Sequence, residues 1–294
     1  MVNPIYAKDS LLANRSVRNI VIILFYNLIL SIFGFAFLLG ETRIARQSGT
    51  MNYSEMLNLY IIFSTVELGL LIFLIPGLTA ISISGEREQH TLDLILVSEM
   101  RPMRILLGKL MSVLEMVALM IISNCPVMIM TLAYGGIRVR EVIWLQVSLL
   151  LLTFTIACYS IFFSVLFRSS IVSVVASYIY TAFTSVGSFC ITYLISFFDI
   201  NSHSVYHVFF QRIVYLLLIN PIVSYYVQMN SQIGDMTAVS SLLNMFDAAA
   251  IADDYVITNW FAFSMVIQVG LAMLALMAAA YFLEPMHRKV LRDI

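Results

Sequence analysis

The chain has 294 residues, of which 61% are hydrophobic and 11% charged, with a formal net charge of −1. A soluble domain cannot cover itself with so little polar surface, so the composition indicates a polytopic membrane protein. The near-neutral charge gives no basic surface for nucleic acid, and the three dispersed cysteines, Cys125, Cys158 and Cys190, read as buried thiols in apolar runs.

Met1–Asn19 is polar, with Ile5, Leu11 and Leu12 set among Lys8, Arg15 and Arg18. It lacks the pattern of a cleaved signal peptide. It reads as an amphipathic helix on the inner membrane surface, or as a solvated basic tail. Ile20–Gly40 is free of charge and has the roughly 20 residues that a bilayer requires, so it is the first span. Glu41–Glu55 follows as a polar loop. Leu57–Ile83 is the second span, and Pro76-Gly77 inside it predicts a kink.

Ser84–Leu110 concentrates charge: Glu86, Arg87, Glu88, Asp93, Glu99, Arg101, Arg104 and Lys109. Leu92, Ile95 and Leu96 recur within it at close to a helical period, which predicts a short amphipathic helix between the second and third spans. Ile105–Tyr134 is the third span, Gly135–Glu141 a tight loop, and Val142–Phe167 the fourth span. After the short turn Arg168-Ser169-Ser170 comes the fifth span, Ile171–Phe198. Residues 199–256 form the largest segment outside the spans. Its apolar core is split by Asn220-Pro221 and is too short on either side to cross a bilayer, so it predicts helices that dip into or lie on the outer leaflet. Trp260–Leu283 is the sixth span, and Glu284–Ile294 is a short basic tail.

Six spans put both ends on one side. The two tails, the charged stretch and Arg168 hold eleven Lys and Arg, against five (Arg43, Arg46, Arg138, Arg140 and Arg212) on the opposite side. This bias predicts both termini in the cytoplasm. The chain is read as one all-α membrane domain over residues 1–294 in the cell membrane, with no convincing internal repeat.

Few residues in the sequence suggest chemistry. There is no Gly-x-x-x-x-Gly-Lys-Ser/Thr loop, so ATP hydrolysis would have to come from another subunit. The chain is therefore not read as an enzyme, and no catalytic residue, cofactor or metal is assigned to it. His203 and His207 are four apart but lack further ligands for a metal. Glu67 lies near the middle of the second span. A carboxylate there serves substrate or an ion, or is held by a Ser, Thr or Tyr on a neighbouring helix. Glu115 lies two turns into the third span and is placed to pair with Lys109 or Arg104. Ser173, Ser177, Thr181, Ser185 and Ser188 recur at close to four residues and share one face of the fifth span. They predict either close helix packing or a lining for a transport path.

The order Glu86-Arg87-Glu88, then Thr91-Leu92, Leu94 and Leu96, then Gly108-Lys109 at the head of a helix resembles permeases of type-2 ATP-binding-cassette (ABC) exporters. The six spans, Asn220-Pro221 before the last span, and the amino-terminal Asn3-Pro4-Ile5 and Asn14-Arg15-Ser16 fit the same family. Two departures stand out: the family commonly has Gly where this chain has His90, and often Thr-Pro where it has Arg101-Pro102. The resemblance implies that residues 85–104 form a cytoplasmic coupling helix docking on a separate ATPase. Glu86, Arg87, Glu88, Thr91, Leu92, Ile95, Leu96 and Lys109 would serve that coupling, with ATP and Mg bound by the partner. It also implies a second permease, a copy or a homologue, with Glu67 and the fifth-span stripe lining the path. The cargo implied is amphipathic: a peptide, drug or lipid. The alternative is a transporter or channel working alone, with Glu67 as its ion or proton site.

Overall fold

Hydrocarbon offers no partner for backbone N–H and C=O groups, so an apolar segment that crosses a bilayer alone must satisfy them within itself, as a helix. The computed structural model describes residues 4–48, 53–92, 101–135, 138–202, 212–233, 238–246 and 255–283, and every regular element among them is helical. In chain order these are α1 (Pro4–Arg15), α2 (Val17–Ser48), α3 (Tyr53–Thr79), α4 (Ile81–Glu88), α5 (Pro102–Gly135) and α6 (Val139–Leu166). Then come α7 (Ser170–Ala182), a π-helical turn (Phe183–Gly187), α8 (Ser188–Ser202), a 3₁₀ helix (Arg212–Ile219), α9 (Pro221–Ile233), α10 (Ala238–Met245), one turn (Tyr255–Thr258) and α11 (Trp260–Leu283).

Among the described residues six helical stretches are long and apolar enough to cross a membrane. These spans are α2, α3 with α4, α5, α6, α7 through α8, and α11. The span on α6 is the most enclosed, 61% buried, against 17% for the one on α2. So α6 is the central post, and α11 packs along it. Leu145, Leu149, Leu152, Ile156 and Ala157 of α6 carry the main core at helical spacing. One boundary differs from the sequence reading. Glu41–Glu55 is not all loop, because α2 continues to Ser48 and α3 starts at Tyr53. Nothing in Glu41–Gln47 stops a helix, since the stretch has neither Gly nor Pro. The cysteines also differ: Cys158 is buried, but Cys125 and Cys190 lie on the outer surface of the bundle.

The segment before the last span turns by 93° between the 3₁₀ helix and α9. At about 1.5 Å per residue, the 13 residues of α9 reach only about 20 Å, short of a bilayer. Asn220 makes the corner. Its Oδ1 accepts from the amides of Ile222 and Val223 at 2.9 and 3.2 Å, an N-cap with Pro221 at the first helical position. Its Nδ2 donates to Ser185 O and Ser188 Oγ at 2.5 and 2.9 Å. Ser185 stands in the π turn of the fifth span, where the ladder is interrupted and a carbonyl is open to an outside donor. On the other side, Ser264 and Gln268 of α11 donate to Leu218 O at 2.6 and 3.0 Å. A second core, with Leu217, Val227, Leu243, Phe246 and Trp260, fills this end. Asn220→Ala removes a helix cap and two interhelical bonds together, so a loss of about 2 kcal/mol is expected, read as a lower unfolding midpoint in detergent.

Candidate functional site

The functional region begins where the second span breaks. Pro76 has no N–H to donate, yet α3 continues through it to Thr79, and the regular helix is interrupted only at Ala80, before α4. The break leaves polar backbone among apolar neighbours, and the fourth and fifth spans supply partners for it. Tyr178 Oη donates to Phe73 O at 2.8 Å, and Ser173 Oγ donates to Ala80 O at 2.9 Å. Ser164 Oγ accepts from the amides of Ile83 and Ser84, each at 3.0 Å, in the first turn of α4. Gly77 admits Tyr178, since a Cβ there would lie 2.9 Å from the phenol oxygen.

The charged motif follows directly on α4, and all three of its residues engage the chain's own helices. Glu86 Oε1 lies 2.5 Å from Lys109 Nζ on α5, and Lys109 also reaches Asp9 of α1 at 2.9 Å. The Arg87 guanidinium donates to Phe167 O and Val165 O at 3.1 and 2.9 Å, satisfying carbonyls at the end of α6. Glu88 accepts from the amide and the hydroxyl of Ser170, both at 2.7 Å, at the start of α7, where a helix N-terminus favours an anion. Three consecutive side chains therefore fasten α5, α6 and α7 to the end of the second span.

The helix α4 ends in a Schellman motif. The amide of Thr91 donates to Glu86 O at 2.9 Å and that of His90 to Arg87 O at 3.1 Å, with His90 at φ 57°. That left-handed conformation favours glycine. Leu92 is fully buried in the bundle and Thr91 is exposed. Ile95 and Leu96 lie outside the described residues, as do His203 and His207.

Glu67 is fully buried among other spans. Tyr26 Oη of α2 donates to its Oε1 at 3.2 Å and Gln146 Nε2 of α6 to its Oε2 at 3.1 Å. The Asn124 amide of α5 approaches the same carboxylate. Four helices thus meet at one carboxylate. Nearby, Tyr60 Oη donates to Gln232 Oε1 at 2.9 Å, and Gln232 Nε2 to Glu141 O at 3.1 Å, which ties α9 to α3 and α6.

The fifth-span stripe is buried within the chain. Ser177 and Thr181 each donate to the carbonyl four residues back, at 2.8 Å, while Ser173 and Ser188 join the contacts at Ala80 and Asn220. Residues four apart drift about 40° per step around a helix of 3.6 residues per turn. The π turn resets that drift, and the stripe continues to Thr192 and Ser196, which the sequence reading left out. The partners of Glu67 lie on α2, α5 and α6, and those of the stripe at Ala80 and Asn220, so the two sets form separate clusters. Glu115 also departs from expectation. Lys109 is engaged by Glu86 and Asp9, and Glu115 Oε1 instead accepts from Ser10 Oγ of α1 at 3.0 Å. Glu115 also receives the Tyr6 hydroxyl, and this hydrogen bond raises the phenol's pKa above its ordinary value.

Two substitutions probe this geometry. His90→Gly relieves the left-handed strain and is expected to stabilise the protein by about 1 kcal/mol, seen as a higher unfolding midpoint. Glu67→Ala leaves Tyr26 and Gln146 without their acceptor and is expected to cost about 3 kcal/mol, whereas Glu67→Gln keeps an acceptor and costs less, by the same measurement.

A sequence model of the family described as ABC-2 family transporter protein matches residues 43–283. No curated protein matches the chain.

Proposed function

Because the chain belongs to the ABC-2 family of transporter proteins, as a multi-pass membrane permease of an ABC transporter, we propose that it couples ATP hydrolysis on separate cytoplasmic ATPase subunits to export of an amphipathic cargo. The observation that carries this reading is the fastening made by Glu86, Arg87 and Glu88. A segment that docks on an ATPase can move the permease only if it is stiffly joined to the spans. Here its first residues are joined to α5, α6 and α7 by an ion pair and four hydrogen bonds. A push on residues 85–104 would then displace the inner ends of spans two to five as one body. In this proposal Glu86, Arg87 and Glu88 transmit the motion. Contact with the ATPase falls to the exposed Thr91 and to Ile95 and Leu96.

Two permeases, copies or homologues, would enclose the path between their second and fifth spans. Glu67 and the stripe Ser173, Ser177, Thr181, Ser185 and Ser188 then serve it by fixing the helices that border it. The competing reading, a transporter acting alone through Glu67, requires access to that carboxylate. Its full burial and its bonds to α2 and α6 favour a structural role.

The test is to purify the tagged chain from its native membrane. An ATPase subunit in equal amount is expected to come with it. Recovery of a stable chain alone would overturn the proposal. Arg87→Ala, which frees the end of α6 and leaves Thr91, Ile95 and Leu96 unsubstituted, is expected to retain the ATPase but to lose ATP-dependent transport.

A further inference from the structure

Between α1, α5 and α6 runs a groove of about 860 Å³, with Leu107, Met111 and Leu114 on one wall and Val147, Leu151 and Phe154 on the other. This is within the range of about 300–1,000 Å³ found for sites that hold small ligands. Leu107, Met111, Val147 and Leu151 are 40–55% exposed, so the groove opens sideways, where the acyl chains of a bilayer lie. It has one ionisable lining carboxylate, Glu115, with the phenol of Tyr6 beside it. The partners of that carboxylate are neutral hydroxyls, Ser10 and Tyr6, both on α1, the helix that the charge bias assigns to the inner membrane surface. The nearest lysine along α5, Lys109, already serves Asp9 and Glu86. An apolar trough with one carboxylate in its wall, open to lipid, is complementary to an amphiphile whose head is a cation.

We propose that this groove binds a phospholipid with an ammonium headgroup from the inner leaflet. The Glu115 carboxylate takes the ammonium, the α1 hydroxyls border it, and an acyl chain lies along Leu114, Leu151 and Phe154. The lipid would brace α1 against the third and fourth spans, close to Lys109, which pairs with both Asp9 of α1 and Glu86. The inference rests on the topology and on the groove, and does not depend on an ATPase partner.

The test uses the full chain in detergent, titrated with phosphatidylethanolamine or with phosphatidylglycerol of matched chains, and bound lipid is counted by native mass spectrometry. Phosphatidylethanolamine is expected to bind about tenfold more tightly, as one charge-assisted contact allows, and Glu115→Gln to abolish that preference. Leu151→Trp fills the groove without touching Glu115 and is expected to remove the bound lipid. Equal binding of the two lipids, an unchanged preference in Glu115→Gln, or full occupancy in Leu151→Trp would each overturn the proposal.

Discussion

A helix that breaks in an apolar bundle exposes amides and carbonyls that no water reaches, and each must find a partner from another helix. The second span breaks at Ala80, and its partners come from the fourth and fifth spans: Ser164, Ser173 and Tyr178. The break therefore works as a joint, because the same bonds that satisfy the backbone hold three spans in fixed relation. Proline lies one turn upstream, and Gly77 leaves the room that Tyr178 occupies.

The charged motif continues this joint beyond the break. Arg87 caps the end of one span and Glu88 the start of the next, so the short turn between them is held from both sides. Glu86 shares Lys109 with Asp9, which brings α1 into the same assembly. Isolated surface ion pairs contribute little, but Lys109 is nearly enclosed, and its removal would strand two carboxylates. Asn220 at the opposite end, and Glu67 within the bundle, do comparable work. Each gathers several helices around one polar side chain. Stiffness at both ends, with α6 as the central post, suits a body that moves as a unit.

Much of this was legible in the sequence. The six spans follow from runs of apolar residues of bilayer length, and Asn220-Pro221 marks where the apolar core of residues 199–256 is split, though not that Asn220 caps a helix. The motif at Glu86–Glu88 was visible as charge, but not its direction, because a carboxylate beside a bilayer can face a partner or its own helices. The π turn at Phe183–Gly187 left no mark, since Phe, Thr, Ser, Val and Gly suit an α-helix as well in this setting. The stripe was therefore read as ending at Ser188, although it continues to Thr192 and Ser196. Tyr was foreseen as a partner for Glu67. Gln146 was not, because it is distant in sequence and nothing local marks which face of α6 it occupies. His90 was noted only as a departure from a family pattern. Its positive φ, a conformation that favours glycine, left no mark in the sequence.

The central claim is that the end of the second span and the turn between the fourth and fifth spans move together. It is tested most directly by spin labels at Gln89 and Arg168, with Cys125, Cys158 and Cys190 replaced, in the transporter assembled with its ATPase. The distance between the labels within one chain is expected to stay the same with and without ATP. A distribution that shifts or broadens on nucleotide binding would contradict the account, because the contacts of Arg87 and Glu88 would then be breaking during the cycle.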